Sequence, residues 1–204
     1  MSTAREALLD AAMAALVAQP WATIRMVDVA AAAGVSRQTL YNEFGSKEGI
    51  AKALARRETE EFLVGFERAL KEAERHGADA GDCFAAATGW TLNTARINPL
   101  VRAALTGCRG DRLPAAVLAA PSPRVPRARA GDRSLTPGEL VAGMSRRATA
   151  VMERGYRTDD TPDVGPACEA VVRLTLSYVV APAAADEEAC LQVARTVRGL
   201  LPAG

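Results

Sequence analysis

At 204 residues the chain is long enough for one sizeable core, or for a small module joined to a larger one, and too short for more. Its composition of 49% hydrophobic residues, 25 basic against 24 acidic side chains and a mean hydropathy of +0.01 is that of a soluble globular protein, and excludes a chain disordered throughout. The first element expected is a helix from about Thr3 to Ala18, opened by a T-x-x-E capping box of Thr3 and Glu6 and carrying Leu9, Ala12, Met13 and Leu16 on one face until Pro20 stops it. A short helix over about Met26 to Ala33, a turn at Gly34-Val35-Ser36 and a third helix over about Arg37 to Phe44 follow. Ser46 and Lys47 then open a long helix to about Arg75, with Ile50, Leu54, Phe62, Phe66 and Leu70 as its apolar positions.

Helical patterning continues over about Asp79 to Ile97 and in a shorter piece from Pro99 to Gly107. About residues 109–135 carry Pro114, Pro121, Pro123 and Pro126 among several arginines without apolar periodicity, the pattern of a flexible loop. Thr136-Pro137-Gly138-Glu139 restarts the chain with a second capping box, and that helix runs to about Gly155. Thr161-Pro162 is expected to cap a helix to about Val180, and Asp186 to open a last one to about Leu200. With no strand pattern and no repeat, the fold class expected is all-α with about nine helices. Its units are a helix-turn-helix module over 1–47 and a larger helical domain over 48–204.

The N-terminus reaches Asp10 before any long apolar run forms, so it does not read as a secretory leader, and Leu176 to Ala185 is too short to span a bilayer and is broken by Pro182. A cytoplasmic protein is expected. Cys83, Cys108, Cys168 and Cys190 are widely spaced and have only His76 as an imidazole partner. They read as buried, inert thiols rather than a metal site or a disulfide framework.

The stretch from Met26 to Phe44 is the informative one. Two helices meeting at a wide angle need a small residue where the backbones approach, a residue free to take positive φ in the turn, and an apolar plug at the corner. Ala30, Gly34 and Val35 fill these needs in order, and the Ser36 hydroxyl is placed to cap the next helix. On that helix Leu40 and Phe44 face inward, leaving Arg37, Gln38, Thr39, Tyr41 and Asn42 to project into a DNA major groove. Arginine and glutamine suit bidentate contacts to guanine and adenine edges, and threonine meets a thymine methyl. Tyr41, Lys47 and Arg25 suit backbone contacts. Over residues 1–50 there are four basic against five acidic side chains, which predicts modest non-specific binding.

This segment resembles the tetracycline-repressor (TetR) family, through Ala30, Ala33, Gly34, Val35, Ser36, Thr39, Leu40, Tyr41, Phe44, Ser46, Lys47 and Glu48. Asn42-Glu43 departs from the histidine or aromatic often found there, which weakens the case for a phosphate contact at 43. The resemblance covers the first fifty to sixty residues and implies a bacterial homodimeric repressor on a palindromic operator, with a ligand-binding core that alters the separation of its two reading heads. It also implies a pocket among the middle helices. Candidate lining residues are Phe62, Phe66, Phe84, Trp90, Met144, Met152, Tyr156 and Tyr178, with Thr91, Asn93 and Thr94 as polar anchors, and few charges of buried type, which points to an apolar ligand. For any single one of these, plain core packing is the commoner role.

For the homodimer the last two helices are the candidates. Val171, Leu174, Thr175 and Tyr178 on one, and Cys190, Val193, Ala194, Val197 and Leu201 on the other, form apolar stripes that would make a four-helix bundle with a second copy. The competing view has both stripes facing the domain's own core. An enzyme is the rival class, but a lone His76 in a polar setting and the absence of phosphate-loop, metalloprotease or paired-carboxylate motifs leave no catalytic, metal or cofactor residue to name. A helix-turn-helix protein without a small effector is the other alternative.

Overall fold

The computed structural model describes residues 3–108, 110, 112–114, 136–155 and 163–201. Among these residues the chain forms helices and no strand: α1 (Ala4–Ala18), α2 (Met26–Ala32), α3 (Arg37–Phe44), α4 (Lys47–Arg75), α5 (Ala80–Ile97), α6 (Pro99–Thr106), α7 (Pro137–Gly155), α8 (Gly165–Val180) and α9 (Asp186–Leu200). A single 3-10 turn, Trp21–Thr23, links α1 to α2. The fold is all-α, as the periodicity indicated. The expected cap at Thr161-Pro162, Tyr156 and nearly all of the 109–135 loop lie outside the described residues, and α8 begins at Gly165.

Local chemistry sets the helix starts. Thr3 Oγ1 accepts from the Glu6 N–H at 3.3 Å while a Glu6 carboxylate oxygen accepts from the Thr3 N–H at 3.1 Å, so two otherwise unpaired donors are satisfied at once. Thr136 and Glu139 repeat the arrangement at α7. At α6 the Asn98 side-chain oxygen accepts from the N–H groups of Leu100 and Val101, with Pro99 in the first turn where its missing donor costs nothing. His76 ends α4, its Nδ1 2.8 Å from the Glu72 carbonyl.

Two apolar clusters result. The first joins Leu8, Leu9, Ala12 and Leu16 of α1 to Trp21, Ile24, Val29, Ala30 and Leu40, to Ile50, Ala51, Leu54 and Ala55 of α4, and to Leu100 of α6. The second runs from Phe62 on α4 through α5 to α9. Helix α4 therefore serves both cores, and the first of them extends past residue 47.

Helices α5 and α9 lie antiparallel. Arg198 near the end of α9 donates to Asp79 and Asp82 at the start of α5, at 2.8 and 2.6 Å, and Arg96 near the end of α5 donates to Asp186 at the start of α9. Each charge also complements the helix end it occupies. This packing corrects the reading of the terminal stripes: Val171, Thr175, Val193, Ala194, Val197 and Leu201 are buried within their own chain, because α5 covers the inner face of α9. Leu174, Tyr178 and Cys190 are half-buried. The outward apolar side chains of α8 and α9 are instead Val180, Leu191 and Leu200.

The cysteine expectation also needs correcting. Cys83 and Cys168 are buried, and burial pushes the Cys83 thiol up to about 11. Cys108, just after the left-handed Gly107 that ends α6, is exposed.

Candidate functional site

The turn between α2 and α3 is built as its residues require. Gly34 has φ +69°, where a side chain would be strained, Val35 N–H returns to the Ala30 carbonyl at 3.0 Å, and Ala30 is buried at the corner. Ser36 then caps α3, its Oγ accepting from the Thr39 N–H at 3.0 Å and lying 2.9 Å from Thr39 Oγ1. Leu40 is fully buried and Phe44 packs against the same core, so α3 is held by one face.

The opposite face is free. Ser36, Arg37, Gln38 and Asn42 are exposed, and Thr39 and Tyr41 are half-buried at its edge. The Arg37 guanidinium stacks over the Tyr41 ring at 5.4 Å, and the Gln38 amide donates to the Asn42 oxygen at 3.3 Å. These contacts orient polar groups without covering them. Arg37 is in no ion pair among the described residues, which leaves its fork of donors for a base edge or a phosphate. The flanking cations are more committed. Arg25 is exposed but paired with Asp28 at 2.8 and 3.0 Å. Lys47 spends two N–H donors on the carbonyls of Ala22 and Ile24, at 3.2 and 2.6 Å, over the Trp21 ring, so it clamps the α1–α2 connection and keeps at most one donor for DNA. Arg5 is drawn to Glu43 and over the Phe44 ring.

The candidate ligand residues separate. Phe66, Phe84, Met144 and Met152 are buried core, Tyr178 is half-buried against that core from α8, and Asn93 is exposed on the outer side of α5. Thr91 is buried with its hydroxyl donating to the Ala87 carbonyl. Phe62, Trp90 and Thr94 do converge, on an open cleft of about 490 Å³ between α4 and α5 that also includes Arg57, Glu58, Val64, Gly65, Arg68 and Asn98. The Trp90 indole packs on α4 at Gly65, its Nε1–H donating to the Phe62 carbonyl at 3.3 Å, with Arg68 over its ring at 5.7 Å.

Sequence reasoning missed the polar end of this cleft, where Glu58 is the one charged side chain buried among the described residues. Glu58 is 7% exposed. Its Oε1 accepts from Arg57 Nε and Nη2 at 3.2 and 2.9 Å, and its Oε2 accepts from Asn98 Nδ2 at 2.7 Å. Arg57 Nη1 also donates to Asp10 of α1 at 2.6 Å. Partial burial and the nearby Glu58 charge hold the Glu61 carboxyl above its usual range. The signal was present: positions 50, 54, 58, 62, 66 and 70 form one inward row at spacing four, and Glu58 is the carboxylate in it.

Known proteins share this architecture. Residues 8–54 match the family described as bacterial regulatory proteins, tetR family. The HTH-type transcriptional regulator AlkX of Mycobacterium tuberculosis (strain ATCC 25618 / H37Rv) is 31% identical over 193 residues, 95% of this chain and 82% of that protein. Solved structures share the fold as well, two of them with a TM-score of 0.60. The TetR family repressor AlkX from Dietzia sp. strain DQ12-45-1b, implicated in biodegradation of n-alkanes, has a TM-score of 0.60 at 22% identity over 96% of each chain. A tetR-family regulator from Streptomyces coelicolor also has a TM-score of 0.60, at 14% identity over 98% of this chain and 82% of that one.

Proposed function

This chain belongs to the tetR family of bacterial regulatory proteins and is a DNA-binding transcriptional regulator, and we propose that it is a repressor whose α3 reads a palindromic operator and whose α4–α5 cleft takes an apolar effector that releases it. The observation carrying this reading is the exposed polar face of a rigid, capped α3. Arg37, Gln38 and Asn42 sit outward, with Thr39 and Tyr41 beside them. Side chains held this way approach base edges with little left to order on binding. Lys47 and Arg25 act beside them, Lys47 chiefly by fixing the approach of α2.

The division of labour is a reading module over 1–47 and an effector and dimerisation domain over 48–204, with α4 running through both cores. The dimer forms through the outer faces of α8 and α9, where Val180, Leu191 and Leu200 supply apolar surface that the chain leaves uncovered. Reading a palindrome then requires two copies of α3 related by that two-fold axis.

The wall of Phe62, Val64, Gly65 and Trp90 favours an aliphatic effector, with Thr94 and Asn98 as its polar contacts. The link of the Dietzia repressor to n-alkane biodegradation agrees with that chemistry. The test is to sequence genomic fragments retained by the purified protein, followed by a thermal-shift screen of aliphatic alcohols and acids of graded length. Recovery of an inverted repeat, with stabilisation by long chains but not short ones, supports the reading. Fragments without two-fold symmetry, or no chain-length dependence, contradict it.

A further inference from the structure

We infer that Glu58 is the positioning residue that ties the state of the α4–α5 cleft to the position of the reading head. This rests on the regulatory reading above. A carboxylate in an inward row of a helix loses its hydration, and is kept only where hydrogen bonds replace it. Here three donors do so, and they come from two directions. On one side Arg57 holds Oε1 and reaches on to Asp10 of α1, which belongs to the head. On the other, Asn98 holds Oε2.

The Asn98 amide has no freedom in this arrangement. Its oxygen caps α6 by accepting from Leu100 and Val101 N–H, so its NH₂ must face an acceptor, and Glu58 is that acceptor. Leu100, held by this cap, is buried in the head's own apolar cluster. Through one carboxylate the head is thus held twice, by α1 through Arg57 and Asp10, and by α6 through Asn98 and Leu100. Arg57, Glu58 and Asn98 are at the same time walls of the cleft, beside Trp90 and Thr94. Any occupant that displaces them moves both attachments together, and by reciprocity operator binding at the head alters the cleft.

Glu58→Gln discriminates this role from ordinary packing. Glutamine has the same shape but offers one acceptor and one donor group where the site needs two acceptors. It keeps either Arg57 or Asn98 and turns a donor on the other, since Asn98 cannot flip without uncapping α6. The chain has two tryptophans, Trp21 in the head and Trp90 in the cleft. The full-length dimer labelled with 5-fluorotryptophan therefore gives two ¹⁹F resonances, assigned with Trp90→Phe.

On adding a captured operator fragment, both signals of the parent protein are expected to shift. In Glu58→Gln the Trp21 signal still shifts, reporting bound DNA, while the Trp90 shift is lost, because the linkage between head and cleft is broken. Asp10→Asn, an exposed change at the head end, is expected to reduce the Trp90 response in the same direction. Glu60→Gln, at the rim of the same cleft and paired with Arg56 rather than with Arg57, Glu58 or Asn98, leaves it intact. An undiminished Trp90 shift in Glu58→Gln, a parent protein whose Trp90 ignores the operator, or a loss in Glu60→Gln as large as that in Glu58→Gln would each overturn the inference. Failure of every aliphatic compound to bind would instead strike at the effector reading alone, because the ¹⁹F experiment uses DNA as its only probe.

Discussion

Replacing Gly65 by alanine sets a helix preference against a packing constraint, and the structure says which wins. Glycine in a helix interior is worth about 1 kcal/mol less than alanine, so on propensity alone the substitution stabilises. The added Cβ, however, falls 2.1 Å from Cζ2 and 2.4 Å from Cε2 of Trp90. Carbon atoms pack at about 3.5 Å, so the indole must retreat by roughly 1.5 Å. That breaks the Nε1–H contact to the Phe62 carbonyl, worth about 1 kcal/mol, and overpacking of this kind costs about 1–3 kcal/mol.

Gly65→Ala should therefore destabilise by about 1–3 kcal/mol, read as a lower urea midpoint at unchanged slope. In a Trp90→Ala background the obstacle is gone, and the same substitution should stabilise by about 1 kcal/mol. The sign thus reverses between backgrounds. Stabilisation in both, or an equal loss in both, would refute the placement of the indole on α4.

The other expectations address charge and thiol chemistry. Native protein should react rapidly with a thiol reagent at Cys108, and Cys108→Ser should abolish that phase, while Cys83, buried and pushed up to about 11, and buried Cys168 react only on unfolding. Hydrogen bonding from Arg198 holds Asp79 below its usual range, and Lys71 does the same for Glu67. A depressed folded value means stability that is present above the unfolded carboxylate range near about 4 and lost as pH falls through the folded value. Arg198→Met should accordingly weaken the acid dependence of the urea midpoint below about pH 4, and an unchanged dependence would count against that pairing. Since Arg25 and Lys47 are partly engaged within the head, the log–log salt slope of operator affinity should lie between roughly −3 and −6 for the dimer, and a slope near −10 would mean phosphate contacts not foreseen here.

Much of the fold could be read from the chain because its punctuation is local. Thr3, Ser36, Ser46 and Thr136 each sit where a hydroxyl meets the free N–H groups of a first turn, and each does cap there. The inward Leu40 and outward Arg37 follow from a period of 3.6 and need no partner to be known. What could not be read is which element covers which face. The α9 stripe of Val193, Ala194 and Val197 has the same spacing whether it meets a second copy or α5, and the ion pairs of Arg198 and Arg96 that decide for α5 join residues about a hundred positions apart.

The same ambiguity put Phe66 and Phe84 beside Phe62 as ligand candidates, although only Phe62 reaches the cleft. Glu58 was overlooked for the opposite reason. Its polar type suggested an outward face, and only its position in the row with Leu54 and Phe62 marked it as inward.

The central claim, that the outward side chains of α3 read DNA, is tested most directly by fluorescence anisotropy with a captured operator and with Arg37→Ala and Tyr41→Ala. Each variant should bind about 10-fold or more weakly, as expected for loss of a contact worth about 1–3 kcal/mol in each half-site, with the dimer intact by light scattering. Unaltered operator affinity in both variants would contradict the account.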